Sequence, residues 1–177
     1  MELDRDVVRS RIREAFAGVR LGSGLSLRQA AAKDDFGDAL TQLVFDQLPA
    51  SEVTDDWQRI PPDELRRDRV AYLDAEGVRY YLPALLLWLL DNYDGDQRAD
   101  EYASLTIIGT LQMLSPSREF RVHYHSIFAS FTSQQRAAIA LYITALPRLV
   151  ALEREDLVLL ERSMRDYWGR YLPTSST

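Results

Sequence analysis

The chain contains no cysteine. That excludes disulfides, a thiolate nucleophile and a Cys-ligated zinc site, and it fits a reducing compartment. Lysine is nearly missing too: of 21 basic residues all but Lys33 are arginine. Histidine occurs only at His123 and His125, so imidazole chemistry would have to arise from one short stretch. The longest apolar run, Leu82 to Leu90, is about half the ~20 residues needed to cross a bilayer. The opening Met1-Glu-Leu-Asp-Arg-Asp6 is acidic and has no apolar segment of the kind a secretory signal needs. These absences predict a cytoplasmic protein without membrane attachment. There is also no internal repeat, no low-complexity tract and no clear boundary between domains.

What is present describes an ordinary globular chain. It has 177 residues, 46% hydrophobic and 27% charged, enough for one domain with a continuous core. The expected limits are a single domain over 1–172 and a short flexible tail over 173–177. The net charge of −6 is unevenly spread. Residues 34–101 carry six basic and seventeen acidic side chains, a net of −11, whereas 1–33 carry +3 and 102–177 carry +2. An acidic middle disfavours nucleic acid and favours a basic protein partner.

The most ordered-looking stretch runs from Val70 to Leu90. Val70 to Leu73 reads as a strand, Asp74 to Gly77 as a turn and Val78 to Leu82 as a second strand, with Pro83 opening an apolar helix. The expected fold class is therefore mainly α (α+β), a helical domain with one short antiparallel β-hairpin near 70–82.

Elsewhere the pattern is helical. Val8, Ile12, Ala15 and Phe16 predict a first helix over 4–19. Ser26 with Gln29, and Thr132 with Gln135, have capping-box spacing and predict helices starting at each, the second with an apolar stripe of Ala138, Ile139, Tyr142 and Ile143. Asp38 is placed to cap a helix carrying Leu40, Leu43, Val44 and Leu48, which Pro49 stops. Residues 50–69 read as surface loop with short helical turns around Trp57 and over Asp63 to Arg67, Trp57 anchoring it to the core. Residues 102–114 lean to helix through the spacing of Leu105, Ile108 and Leu111, despite Thr106-Ile107-Ile108. Residues 121–131 stay open between helix and strand, with Phe128 and Phe131 favouring helical packing. Pro147 ends or kinks the helix that begins at Thr132, and a last helix is expected over 149–171.

Three stretches together resemble a known family. They are Leu21-Gly-Ser-Gly-Leu-Ser-Leu27 leading to Asp34-Asp35, Asp56-Trp57 with Ile60, and Leu73-Asp-Ala-Glu-Gly-Val-Arg-Tyr-Tyr-Leu-Pro-Ala84. They are similar to a bacterial domain-of-unknown-function family with a D-x-x-G-x-R-[FY]-x-L-P-A core. The resemblance covers roughly residues 10–95, extends in weaker form to Thr132 through Trp168, and implies a shared fold, with no activity, substrate or cofactor.

No motif names a reaction. Asp91-Asn-Tyr-Asp-Gly-Asp96 has its glycine one position early for a calcium loop. Gly22-Ser-Gly24 lacks the surroundings of a dinucleotide loop or of a nucleophile elbow. Asp34-Asp35 and Asp55-Asp56 are explained by capping and solubility. His123-x-His125 would present two rings to one metal only on a strand, with a carboxylate such as Glu119 as third ligand; on a helix the rings diverge. In a hairpin Tyr80 and Tyr81 would face opposite ways, leaving one at the surface.

The expectation is thus a non-enzymatic interaction module, needing no cofactor, whose acidic surface holds a basic protein in the manner of a toxin-neutralising protein. Its contact residues would be Asp34, Asp35, Asp55, Asp56, Tyr80, Asp91, Asp94 and Asp96. The alternatives are a small metal-assisted hydrolase using His123 and His125, and a structural subunit of a homo-oligomer.

Overall fold

A computed structural model describes residues 4–33, 55–66, 70–93 and 101–172, the last without the side chains of 101–103. The helices are α1 (Arg5–Ala15), α2 (27–33), α3 (Pro62–Leu65), α4 (Ala75–Asn92), α5 (Glu101–Leu114), α6 (Arg121–Ala129), α7 (Ser133–Leu149) and α8 (Arg154–Asp166). Single 3-10 turns lie at Trp57–Arg59, Val70–Tyr72 and Trp168–Tyr171. Among the described residues there is no strand, and no helix is long and apolar enough to cross a membrane.

The β-hairpin expected near 70–82 is not formed. Val70–Tyr72 is a 3-10 turn, and Asp74 caps the helix α4, its Oδ1 accepting from the Gly77 N–H at 2.8 Å. Pro83 is accordingly an interior residue of α4 and does not begin it. An interior proline costs about 3 kcal/mol, because it deprives the Arg79 carbonyl of its donor and crowds that turn. Burial outweighs this. Tyr80, Tyr81, Leu82, Leu85, Leu86, Leu89 and Leu90 are all buried, and a large apolar side chain contributes about 1.5–3 kcal/mol on burial. A helix buried on every side shows no period, so its pattern does not distinguish it from a pair of strands.

α4 is the central rod. It packs on α1, α3, α5, α6 and the Trp57–Arg59 turn, while α7 packs on α1, α8 and the Trp168–Tyr171 turn. Buried apolar side chains from Val8 to Trp168 form one connected cluster. Long-range polar contacts hold the rods in register. Arg5 donates to the Leu90 carbonyl at 2.7 Å and to the Leu149 carbonyl at 2.6 Å, so one guanidinium binds the C-terminal ends of α4 and α7. The Trp57 indole N–H reaches the Phe16 carbonyl at 2.9 Å from a buried position, anchoring its loop as expected. The Tyr93 hydroxyl donates to the buried Asp156 carboxylate and accepts from the Glu153 N–H at 2.8 Å, joining the end of α4 to the start of α8.

Both capping boxes are present. Thr132 and Gln135 exchange bonds of 3.1 and 3.0 Å at the start of α7, and Ser26 and Gln29 exchange bonds of 3.2 and 2.9 Å. Pro147 does not stop α7, which continues to Leu149. The last helix expected over 149–171 is divided into α8 and the Trp168–Tyr171 turn. Residues 121–129 are helical, as are 101–114. The helix expected after Asp38 and the tail at 173–177 lie outside the described residues.

Two of the stretches that carry the family resemblance meet. Asp74 Oδ1 also accepts from the Leu25 N–H at 3.0 Å, and the Ser23 hydroxyl donates to Glu76 at 2.7 Å. The approach is close enough to require glycine. A Cβ on Gly77 would stand 2.6 Å from the Leu25 carbonyl oxygen, and one on Gly24 would stand 2.8 Å from the Gly77 nitrogen.

Candidate functional site

An apolar groove of about 880 Å³ opens on the surface of the described residues. One wall is α5, which presents Leu105, Ile108 and Gln112 at helical spacing. The Val70–Tyr72 turn, the 115–120 turn, the start of α6 and Leu159 of α8 complete it. Its lip is unusually apolar for a surface. Phe120 is 54% exposed, Tyr72 41%, and Leu105 and Ile108 37% each. Scattered exposed apolar side chains need no explanation, but four that converge on one groove mark a contact surface.

The groove exists because α5 ends abruptly. Its last carbonyls find donors on other elements instead of a capping glycine. Leu114 O accepts from Ser163 Oγ at 2.8 Å and from the Trp168 indole at 3.0 Å, and Ser115 O accepts from Arg162 at 2.6 Å. Pro116 then turns the chain away and sets Phe120 on the far lip. On the other side Thr106 donates to the Leu65 carbonyl at 3.0 Å, which fixes the rotation of α5 and so leaves Leu105 and Ile108 facing out. Apart from the tyrosines Tyr72 and Tyr124, the ionisable side chains in the lining are His123 and Arg162.

The two histidines do not form a site. α6 is a helix, so residues two apart diverge. His123 is exposed at the groove, edge-on to Tyr124, while His125 stacks on Tyr167 with ring centroids 4.2 Å apart. Burial, reinforced by Arg121 and Arg170 and opposed by Asp166, lowers the His125 pKa below its ordinary 6.5. Among the described residues no group of three His, Cys, Asp or Glu side chains is arranged to hold a metal.

The expected acidic contact set is only partly visible. Asp34, Asp35, Asp94 and Asp96 lie outside the described residues. Asp55 and Asp56 are exposed, Asp56 accepting from the Gln58 N–H at 3.0 Å. Asp91 is exposed and paired with Arg9 of α1. Tyr80 is a correction: it is 0% exposed and Tyr81 only 4%, because a helix buried on every side sends neighbouring residues into different parts of the core. Burial raises the Tyr80 pKa, with smaller contributions from Tyr81, Asp56 and Asp55. Its hydroxyl is therefore a neutral core group and no part of a surface.

None of the groove-lip residues was singled out from sequence. Leu105 and Ile108 carry the helical spacing of α5, but that spacing reads as core. Nothing local reports that they are uncovered.

No curated protein and no solved structure matches the chain. A family of unknown function, DUF6714, matches residues 4–172, further toward both ends than the three resembling stretches indicate. The chain belongs to that family.

Proposed function

We propose that the protein is a non-enzymatic interaction module that receives the apolar face of an amphipathic helix from a basic protein partner. The observation that carries this is the groove itself, with Tyr72, Leu105, Ile108 and Phe120 exposed around one apolar channel. From Leu105 to Gln112 the α5 wall is about 10 Å long at 1.5 Å per residue, which suits two turns of a docked helix presenting anchors at i, i+3 and i+7. The charge of the partner follows from the stretch that supplies the opposite wall. Val70–Tyr72 belongs to residues 34–101, whose net of −11 attracts lysine and arginine flanking the docked apolar face at long range, although no carboxylate lines the groove itself among the described residues. Toxin neutralisation is the most concrete form of this role. Normal growth of a deletion strain beside its neighbours would remove that form of it.

The test uses two synthetic amphipathic helices, one of leucine and lysine and one of leucine and glutamate, titrated by fluorescence anisotropy. The leucine–lysine peptide binds the wild type more tightly, and Ile108→Asp weakens it by about tenfold or more, as loss of a buried anchor does. A preference for the glutamate peptide would refute the basic partner. Light scattering on the same samples separates the competing occupant. A dimer abolished by Ile108→Asp would show that the groove is covered by a second copy of this chain.

A further inference from the structure

A second cavity, polar where the groove is apolar, lies where the end of α1 meets α4 and the start of α7. Its volume is about 390 Å³, and its charged lining comprises Glu14, Arg20 and Arg79. Gly18 makes it. With φ at +71°, in the region glycine enters without a Cβ clash, it turns the chain out of α1 and brings Arg20 to the cavity wall. Thr132, Gln134 and Gln135, from the first turn of the 17-residue helix α7, close the opposite side. The positive end of the helix dipole lies there, while the N–H groups of Thr132 and Gln135 are taken by the capping box.

Arg79 is the unexplained residue. It is half-buried, its Nε has no solvent access and no acceptor, and among the described residues its guanidinium makes no hydrogen bond or ion pair. The Nε atoms of Arg66 and Arg136 are likewise without an acceptor, but among the described residues every other half-buried arginine holds a partner through its terminal nitrogens. Arg5 holds the Leu90 and Leu149 carbonyls, Arg28 holds Glu64, Arg136 holds Ala129 and Arg162 holds Ser115. A guanidinium remains charged under all ordinary conditions, and desolvating part of it without an acceptor costs free energy that the fold does not recover. Arg20 is exposed and, among the described residues, likewise without a hydrogen bond or ion pair. The one carboxylate in the lining is already engaged on α1 itself: Glu14 accepts from Ser10 at 2.8 Å and pairs with Arg11 at 3.6 Å.

We propose that this cavity binds a phosphate group, with Arg79 and Arg20 gripping its oxygens beside the start of α7. Two planar guanidinium forks match the many acceptor positions of a phosphate better than the two oxygens of a carboxylate. The cavity is separate from the apolar groove in every lining residue, so the proposal does not rest on the partner-binding role.

The test is calorimetric titration of the full chain with inorganic phosphate at low ionic strength, with acetate as the comparison. Saturable phosphate binding is expected, stronger than that of acetate. Arg79→Gln weakens it by about tenfold or more, the usual effect of removing a charge-assisted contact, and Glu14→Gln strengthens it. Because the Arg79 guanidinium makes no hydrogen bond among the described residues, the variant keeps the wild-type urea midpoint, which shows that any loss is not unfolding. Absence of saturable phosphate binding, or equal affinity in Arg79→Gln, overturns the site. Acetate binding as tightly as phosphate overturns the assignment of ligand class.

Discussion

Asp74→Ala tests the helix that replaces the expected hairpin. One carboxylate oxygen of Asp74 accepts two backbone N–H groups, Gly77 at 2.8 Å and Leu25 at 3.0 Å. Losing the first removes the N-cap of α4, a change worth about 1 kcal/mol. Losing the second leaves the Leu25 N–H without its acceptor against the glycine-tight junction of the 22–26 loop and α4, worth about 1–2 kcal/mol more. The total is about 2–3 kcal/mol. For a chain of this size that lowers Tm by roughly 4–12 °C. Asp74→Asn keeps an acceptor oxygen in the same place and should cost less than about 1 kcal/mol. Equilibrium urea unfolding followed by circular dichroism separates the two variants. A shifted midpoint with an unchanged slope assigns the loss to the native state. If alanine and asparagine are equally mild, both under about 0.5 kcal/mol, then the shared oxygen does not hold the loop to α4 and the argument fails.

Other perturbations test other joints. Tyr93→Phe removes the hydroxyl shared by Asp156 and the Glu153 N–H and should cost about 1–3 kcal/mol in the same assay. An unchanged urea midpoint would show that this link does not couple α4 to α8. His125 gives a pH dependence whose sign follows from its lowered pKa. The folded state prefers the neutral ring, so its contribution is complete above the ordinary value of 6.5 and is lost as pH falls below 6.5 through the folded value. His125→Gln should therefore flatten part of the decline in urea midpoint between neutral and mildly acidic pH. A slope identical to that of the wild type would refute the assignment.

Several elements were legible because their signals are local. The capping boxes at Ser26/Gln29 and Thr132/Gln135 are chemistry between residues three apart, and both form. The stripe of Ala138, Ile139, Tyr142 and Ile143 on α7 faces the core, all four being buried. Trp57 is buried and bonded as an anchoring tryptophan should be. Val70 to Leu90 was misleading for an equally physical reason. Uniform burial erases the contrast between faces on which period is judged, and Pro83 and the tyrosine pair then weigh toward a hairpin. Residues 101–114 posed the same difficulty, since Thr106-Ile107-Ile108 favours a strand locally while the Thr106 hydroxyl is used on the Leu65 carbonyl from within a helix.

Composition and short-range spacing are enough to specify a cysteine-free, largely helical chain, its main caps and its acidic middle, because each depends on residue type or on neighbours a few positions apart. The candidate sites have another origin. The apolar groove draws its walls from residues 70–72, 105–113, 115–124 and 159–162. Whether Leu105, Ile108 and Phe120 are core or surface depends on which helix fails to cover them. Among the described residues Arg79 differs from the other half-buried arginines only in what the folded neighbours leave it without. Contacts between distant segments create both features, and no local pattern encodes them.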